Sequence, residues 1–147
     1  MDKLTRVEIA RLHRFLRAVW QEQPDEVASI MPEYADDFYS LLEKGTTFTA
    51  ADVTARRKIR KNGKLYVIAQ PHTMQENWLP EELPALYSPI PYRYGYREIG
   101  EYITAENPFS AGERGIDSDD VVWECTQDGC TYTPKQYGSY WRKVGKV

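Results

Sequence analysis

The stretch Gly63-Lys64-Leu65-Tyr66 is followed by Trp78-Leu79-Pro80 and then by Tyr87, and this order decides how the rest of the sequence is interpreted. Asn62 precedes Gly63, and an Asn-Gly pair between two β-prone runs is a strong hairpin signal because both residues accept a positive φ. Such a short module has little room for an aliphatic core, so a few large rings are expected to fill it.

A second stretch repeats this order nearer the C-terminus. It runs from Val121-Val122-Trp123-Glu124 through Tyr132-Thr133-Pro134 to Trp141. In both copies the last aromatic residue lies seven positions after the proline. The earlier gap differs, with twelve positions from Tyr66 to Trp78 and nine from Trp123 to Tyr132, which fits a loop of variable length. Because self-similarity indicates repeated structural units, the chain is predicted to contain two small β modules.

The bulk properties exclude several classes of protein. A length of 147 residues suits one domain or a few very small ones. The net charge of -3 provides no positive field for nucleic acid, which is not expected as a partner. No apolar run approaches the length of about 18 residues that a transmembrane helix needs, so no membrane insertion is expected. The charged N-terminus lacks the apolar core of a secretory signal, which predicts synthesis in the cytoplasm without a signal peptide.

The first helix is predicted from apolar spacing. Ile9, Leu12, Leu16 and Val19 are spaced three, four and three apart, which predicts a helix over residues 4–20 with one apolar stripe. The stripe is short for an isolated coiled coil. It is nevertheless expected to seed a homo-oligomer, and a trimer is suspected, if the β modules help to hold the chains together.

A second helical pattern follows, with apolar residues again three or four apart. Its members are Val27, Ile30, Tyr34, Phe38 and Leu41. Pro32 lies inside it, so a short turn ending at Met31 and a new helix beginning at Pro32 is an alternative. Residues 3–20 have a net charge of +4 and residues 21–43 have -7, which predicts an antiparallel helical hairpin or helices that pack between subunits.

A local basic cluster surrounds the first hairpin signal. It comprises Arg56, Arg57, Lys58, Arg60, Lys61 and Lys64. Strand alternation is expected to place several of these side chains in solvent, and contact with an acidic partner is the alternative.

The two cysteines, Cys125 and Cys130, admit several arrangements. A four-residue loop between them would let them face each other across two strands and form a disulfide. A tight turn at Asp128-Gly129 would pair Cys125 with Tyr132, a register that does not favour a disulfide. In a reducing compartment two free thiols are expected.

Catalytic and metal-binding motifs are missing from the sequence. The only histidines are His13 and His72, which belong to no zinc-protease motif and no Ser/His/Asp set. Carboxylate pairs such as Asp119-Asp120 are adjacent in sequence and do not face each other across a cleft as glycosidase carboxylates do. The sequence therefore predicts a protein that is not an enzyme, with no catalytic residues, no metal site and no cofactor.

Several motifs together resemble a known family. Asn62-Gly63-Lys64-Leu65-Tyr66 and His72-Thr73-Met74-Gln75-Glu76-Asn77-Trp78-Leu79-Pro80, followed by Leu86-Tyr87, resemble carbohydrate-binding module family 5/12, the chitin-binding-like module of bacteriophage and prophage tail proteins. The second copy, from Val122 to Val144, resembles the C-terminal module of the same proteins. The resemblance implies three-stranded β modules, sugar binding as the ancestral activity, and residence on a virion tail tip or fibre.

The resemblance also suggests which residues contact sugar. They are Tyr66, Trp78, Tyr87, Trp123, Tyr132, Tyr137 and Trp141. Trp78, Trp123 and Trp141 are expected to serve mainly in the core, whereas Tyr137 is the best candidate for exposure. The family's flat aromatic platform follows the second strand, and the corresponding stretches here, residues 70–74 and 126–129, contain no aromatic pair. A crystalline polysaccharide is therefore a doubtful ligand.

The sequence thus predicts an α+β chain with an N-terminal helical hairpin and two small, three-stranded β-rich modules. The expected divisions are a helical segment at 1–44, a first module at 45–88, a Tyr/Pro linker at 89–108 and a second module at 109–147. The leading hypothesis is a non-enzymatic phage or prophage tail protein, located in the virion, whose modules contact host surface polysaccharide and other tail proteins. The alternative is a purely structural virion protein whose modules mediate oligomerisation or docking.

Overall fold

The computed structural model describes residues 5–147, which form two compact units divided between Ile90 and Pro91. The architecture is α+β, with four α-helices in the described residues, one of them long and N-terminal, and several small sheets. The first unit contains, in order, α1 (Arg6–Gln21), α2 (Asp25–Ala28), β1 (Asp36–Asp37), α3 (Phe38–Glu43), β2 (Thr47–Phe48), α4 (Ala50–Thr54), β3 (Lys58–Lys61), β4 (Lys64–Ile68), β5 (His72–Thr73) and β6 (Tyr87–Pro89). The second contains β7 (Tyr92–Arg93), β8 (Tyr96–Glu98), β9 (Arg114–Ile116), β10 (Val121–Cys125) and β11 (Trp141–Lys146).

Helix α1 confirms the predicted apolar-striped helix to within two residues at its start, and Leu4 lies outside the described residues. Thr5 caps it, because the Thr5 hydroxyl accepts a hydrogen bond from the Glu8 amide. Two residues at its C-terminal end, Trp20 and Gln21, hydrogen-bond to the rest of the unit. The Trp20 indole N–H donates to the Ala28 carbonyl at 3.0 Å. The Gln21 amide exchanges two hydrogen bonds with the backbone of Lys58.

The predicted helical hairpin does not form, because residues 25–43 do not make a single second helix. Helix α2 ends at Ala28, a 3₁₀ turn spans Pro32–Tyr34, and α3 begins only at Phe38. Proline favours a new start at Pro32, and the chain then extends so that β1 pairs in parallel with β3. Asp37 ends this extended piece and caps α3 by accepting from the Ser40 amide.

Three of the seven acidic residues of segment 21–43 pair with the basic cluster rather than with α1. Three arginines reach three aspartates: Arg56 to Asp25 at 3.0 Å, Arg57 to Asp36 at 3.2 Å and Arg60 to Asp37 at 3.5 Å. Lys61, also in the cluster, is buried and forms an ion pair with Glu81. The solvent-facing basic surface expected from the sequence is thus largely occupied by intramolecular ion pairs.

The first sheet is built around the Asn-Gly hairpin that the sequence predicts. Asn62 and Gly63 have φ of +51° and +82°, and they connect β3 and β4 in antiparallel register. The strand order is β1-β3-β4-β6. One face of this sheet and helix α3 enclose a core of mostly large side chains. The core comprises Phe38, Leu41, Phe48, Ile59, Tyr66, Ile68, Met74 and Tyr87.

The second unit is a five-stranded sheet in the order β11-β10-β9-β8-β7. The stretch 89–108, interpreted from sequence as a linker, contributes β7 and β8 to it. The core behind this sheet contains Ile99, Phe109, Cys125, Cys130 and Trp141. The two larger sheets therefore have four and five strands where the sequence predicts three, because the short strand β1 and the hairpin β7–β8 add to their edges.

Both cysteines are free and buried in this core. Cys125 lies opposite Trp141 in the β10–β11 ladder, whereas Cys130 forms an isolated bridge with Phe109. Neither sequence-based hairpin arrangement is therefore present, because each cysteine pairs with a different part of the chain. Burial raises the pKa of the Cys125 thiol, which keeps it protonated.

A substitution at Gly115 would show how tightly the core of the second unit is packed. A Cβ at this position would lie 2.6 Å from Ile99 Cγ1 and 2.9 Å from Phe109 Cε1. We expect Gly115→Ala to lower the free energy of unfolding by about 1–3 kcal/mol through overpacking. Urea denaturation measures the change. Gly145→Ala is the matched control, because a Cβ there would meet no atom within 4 Å; equal stabilities for the two variants would contradict the packing.

Tyr87 makes stability depend on alkaline pH. Its ring is fully buried, its hydroxyl lies 2.9 Å from His72 Nε2, and burial raises its pKa to about 12. An unfolded tyrosine has a pKa of about 10, so the folded state keeps a proton that the unfolded state loses between these pH values. This contribution is complete below pH of about 10 and disappears as the pH rises to about 12.

Near neutral pH we expect Tyr87→Phe to lower the free energy of unfolding by about 1 kcal/mol, because a hydrogen bond is lost. This difference from the wild type should shrink as the pH rises. Urea denaturation across the alkaline range measures it. Tyr94→Phe, at an exposed ring, is the control. A constant difference between wild type and Tyr87→Phe would show that the phenol does not titrate as the structure indicates.

Candidate functional site

The candidate site lies in the second unit and starts at the turn between β9 and β10. Asp117 organises this turn, because its Oδ1 accepts hydrogen bonds from the backbone amides of Asp119 at 2.9 Å and Val121 at 3.0 Å. Its Oδ2 accepts from the indole N–H of Trp123 at 2.8 Å. A side chain that bonds its own backbone two residues on is the usual Asp turn geometry, and it lets Asp120 adopt a φ of +62°.

The Asp117 carboxylate is stabilised in its charged form. Partial burial alone would raise its pKa, but the hydrogen bonds from Trp123, Val121 and Asp119, with the nearby Arg93 charge, outweigh burial and hold the pKa below its usual range. Asp117 is therefore an ionised acceptor near neutral pH.

The second part of the site is the loop that connects the core to β11, residues 131–140. Thr133 is buried, and its amide and hydroxyl exchange hydrogen bonds with Gln136, so the loop closes on itself. The Trp141 indole N–H donates to the Tyr132 carbonyl at 2.7 Å. These bonds fix the backbone at both ends of the loop, while the Tyr132 side chain remains exposed.

Three tyrosine rings gather on this loop. Tyr137 and Tyr140 have ring centroids 4.4 Å apart, and Tyr132 lies 6.1 Å from the first and 6.2 Å from the second. Residues three apart align in a 3₁₀ turn, and such a turn spans Gly138–Tyr140 directly after Tyr137. Tyr132 is 53% exposed and Tyr137 is 48% exposed, while Tyr140 is half-buried. We call these three rings the tyrosine cluster.

A groove of about 940 Å³ uses the same loop as one wall. Its lining comprises residues 99–102, residues 117–119, Trp123 and residues 133–136. The groove thus combines an aromatic surface, from Trp123 and the highly exposed Tyr102, with carboxylates and amides. Within residues 5–147 no His, Cys, Asp and Glu side chains converge in the way that metal ligands do.

The residues selected from sequence fall into two groups. Tyr66, Tyr87 and Trp141 are buried and belong to the cores, so their rings do not reach a ligand. Trp78 is 40% exposed on a loop of the first unit, contrary to the expectation that it fills the core. Of the seven, the structure brings Tyr132 and Tyr137 together in the tyrosine cluster and places Trp123 in the groove.

Sequence reasoning missed two rings of the site, Tyr140 and Tyr102. The signal for Tyr140 is its spacing of three from Tyr137, which aligns the rings only if the intervening residues form a 3₁₀ turn. No local signal identifies Tyr102, because tertiary structure brings its segment beside residues 117–119. Residues 126–129, directly after β10, correspond to the family's aromatic platform, whereas the tyrosine cluster forms on the following loop.

Trp123 tests the electrostatics of the turn. We expect Trp123→Phe to raise the pKa of the Asp117 carboxyl, because the ring remains and the indole N–H donor is lost. An NMR titration of the side-chain carboxyl carbon measures the shift. Trp78→Phe, in the other unit, is the control and should leave the Asp117 titration unchanged. An unaltered pKa in Trp123→Phe would show that this hydrogen bond does not stabilise the charge.

Comparison with known proteins adds no assignment. No family model, curated protein or solved structure matches this chain. None of the helices in residues 5–147 has both the length and the hydrophobicity to cross a bilayer. Any function proposed for the chain therefore rests on its own residues and their geometry.

Proposed function

We propose that the chain is a non-enzymatic, carbohydrate-binding protein of a phage or prophage tail, and that it binds a host surface glycan at the second unit. The observation that carries the proposal is the tyrosine cluster of Tyr132, Tyr137 and Tyr140, three partly exposed rings on a loop that also walls a groove. The virion setting derives from the resemblance to tail-protein modules.

The chemistry of the cluster suits a sugar ring. The axial C–H groups of a pyranose pack on aromatic faces, and a few polar groups then fix its orientation. A tyrosine side chain has only two χ angles, so it offers a large contact area and loses little conformational entropy on binding. In the groove, Glu101, Asp119 and Lys135 supply charged groups that hydroxyls can bond, beside the ionised Asp117.

The state of Asp117 favours binding over hydrolysis. A glycosidase acid needs a carboxyl with a raised pKa, so that it still holds the proton it gives to the leaving oxygen. The pKa of Asp117 is lowered, mainly through hydrogen bonds donated by Trp123, Val121 and Asp119 that overcome the effect of burial. It can accept hydrogen bonds from sugar hydroxyls but is poorly suited to protonating a glycosidic oxygen.

The finer module assignment belongs to the same proposal. Each larger sheet contains three successive antiparallel strands, β3-β4-β6 in the first unit and β9-β10-β11 in the second. We take these as the two three-stranded carbohydrate-binding-type modules, with the remaining strands as additions at the edges.

A structural virion protein is the second candidate function. Tyrosine is enriched in protein interfaces as well as in sugar sites. The exposed Trp78 of the first unit is a further ring without an assigned role. In this alternative the modules mediate oligomerisation or docking on other tail proteins, and the tyrosine cluster is covered by protein.

The decisive experiment is binding of the full chain to an immobilised panel of bacterial surface glycans that includes chito-oligosaccharides. We expect at least one glycan to bind. Combined Tyr137→Ala and Tyr140→Ala should weaken that binding about tenfold or more, since the loss of two stacking rings corresponds to roughly 1.4 kcal/mol or more. Trp78→Ala is the matched control, an exposed ring removed from the other unit.

Each outcome decides between the candidates. Binding that depends on Tyr137 and Tyr140 but not on Trp78 supports the proposal. Binding that depends on Trp78 alone places the sugar site in the first unit and contradicts the proposed location. A chain that binds no glycan on the panel favours the structural role.

A further inference from the structure

Helix α1 presents an apolar face that no described residue covers. Its residues before Trp20 are exposed, apart from the half-buried Leu16. Leu12 is 44% exposed and Phe15 64%, while Ile9 and Val19 are each 39% exposed. The helix is fastened to its unit only near its end, through the Trp20 and Gln21 hydrogen bonds. A four-turn helix with a bare apolar stripe is marginally stable in water unless a partner covers the stripe.

The charges of the first unit leave α1 without an internal partner. Asp25, Asp36 and Asp37, three of the acidic residues that follow the helix, are engaged by arginines that follow α4 or lie on β3. None of the ion pairs among residues 5–147 involves α1, so its four arginines, its glutamate and its apolar stripe are available to a partner outside this chain.

The spacing of the stripe selects a second copy of the same helix. In a heptad labelled a to g, Ile9 and Leu16 take position a, and Leu12 and Val19 take position d. The remaining charges are compatible with self-packing. Arg11, Arg14 and Arg17 fall at c, f and b, the outer positions, and Arg6 falls at e, at the edge of the contact. In a parallel pair an e residue faces a g residue of the partner, so the arginines do not oppose each other.

The flanking positions favour a parallel arrangement. Glu8 lies at g and His13 at e, and in parallel helices the g residue of one faces the following e residue of the other. This brings a carboxylate beside an imidazole of the partner copy. Phe15, at the next g position, extends the apolar surface along the edge of the contact.

A lipid surface fits this helix less well. Glu8 lies on the same face as Leu12 and Phe15, one and two turns away. An interfacial helix keeps its charges on the polar face and lowers its apolar face into the acyl boundary. Glu8 would then be carried into lipid, whereas in a helix pair it lies at the solvent edge.

We propose that α1 is a self-association surface, on which the Ile9–Leu12–Leu16–Val19 stripe packs in parallel against the same stripe of a second copy of this chain. This inference is independent of what the tyrosine cluster binds. Two heptads bury little area, so the association is concentration-dependent. A three-chain bundle on the same stripe is the same arrangement with one more copy.

Sedimentation equilibrium of the full chain over a wide concentration range tests the proposal. We expect the mass to rise from 17.1 kDa toward two or three times that value. Combined Leu12→Glu and Leu16→Glu should keep the chain monomeric. Combined Ala10→Glu and Ala18→Glu adds the same charge at outer positions of the same helix and should leave association intact. Circular dichroism verifies that both variants retain their fold.

Orientation is tested by cysteine cross-linking under mild oxidation. Ile9→Cys should form a disulfide with Ile9→Cys of the partner copy in the parallel arrangement. Val19→Cys should capture Ile9→Cys only in an antiparallel one, which would overturn the proposed orientation. A chain that is monomeric at every concentration, or stripe variants that associate like the wild type, would overturn self-association. A monomer that binds vesicles of anionic phospholipid would identify lipid as the occupant instead.

Discussion

The indole of Trp141 links the core of the second unit to its candidate site. Its ring packs on Phe109 with centroids 5.0 Å apart, inside the core that also holds both cysteines. Its N–H donates to the Tyr132 carbonyl, so the buried end of the interaction fixes the start of the exposed loop. The aromatic face that this loop presents depends on that anchor, because a loop free to move would not hold three rings within about 6 Å of one another.

The aromatic residues have two roles, some filling the cores and some lying exposed, and this follows from the small size of the units. Neither unit can build a core from aliphatic residues alone, so each buries a few large rings and satisfies their polar atoms. Tyr87 meets His72, Trp20 meets Ala28 and Trp123 meets Asp117. Two of the exposed tyrosines, Tyr132 and Tyr137, lie on a loop that the hydrogen bonds of Thr133 and Trp141 anchor.

The two proposals would reinforce each other. If copies associate through α1, each assembly carries several tyrosine clusters. Engagement of a repeated polymer such as a surface glycan then gains from the high effective concentration of the second site after the first has bound. Weak stacking at each cluster would be sufficient for firm attachment of the assembly, without a deep or highly specific groove.

The sequence by itself determined the elements that arise from local rules. Helix α1 follows from apolar spacing and the Thr5 cap, and the β3–β4 hairpin follows from Asn62-Gly63, because periodicity and positive φ are properties of neighbouring residues. The two-module pattern of rings includes Tyr132, and Tyr137 is the ring for which the sequence predicts exposure.

Tertiary structure decided what the sequence could not. Residues 25–43 have helical spacing, yet Asp36 and Asp37 extend to pair with β3 and with its arginines, which interrupts the helix. Trp78 and Trp141 are both expected in a core from the sequence, but Trp78 is exposed and Trp141 is buried, since exposure depends on which distant segments pack against each ring. The groove joins residues 99–102 to residues 117–119 and 133–136, and only the folded chain brings those three loops together.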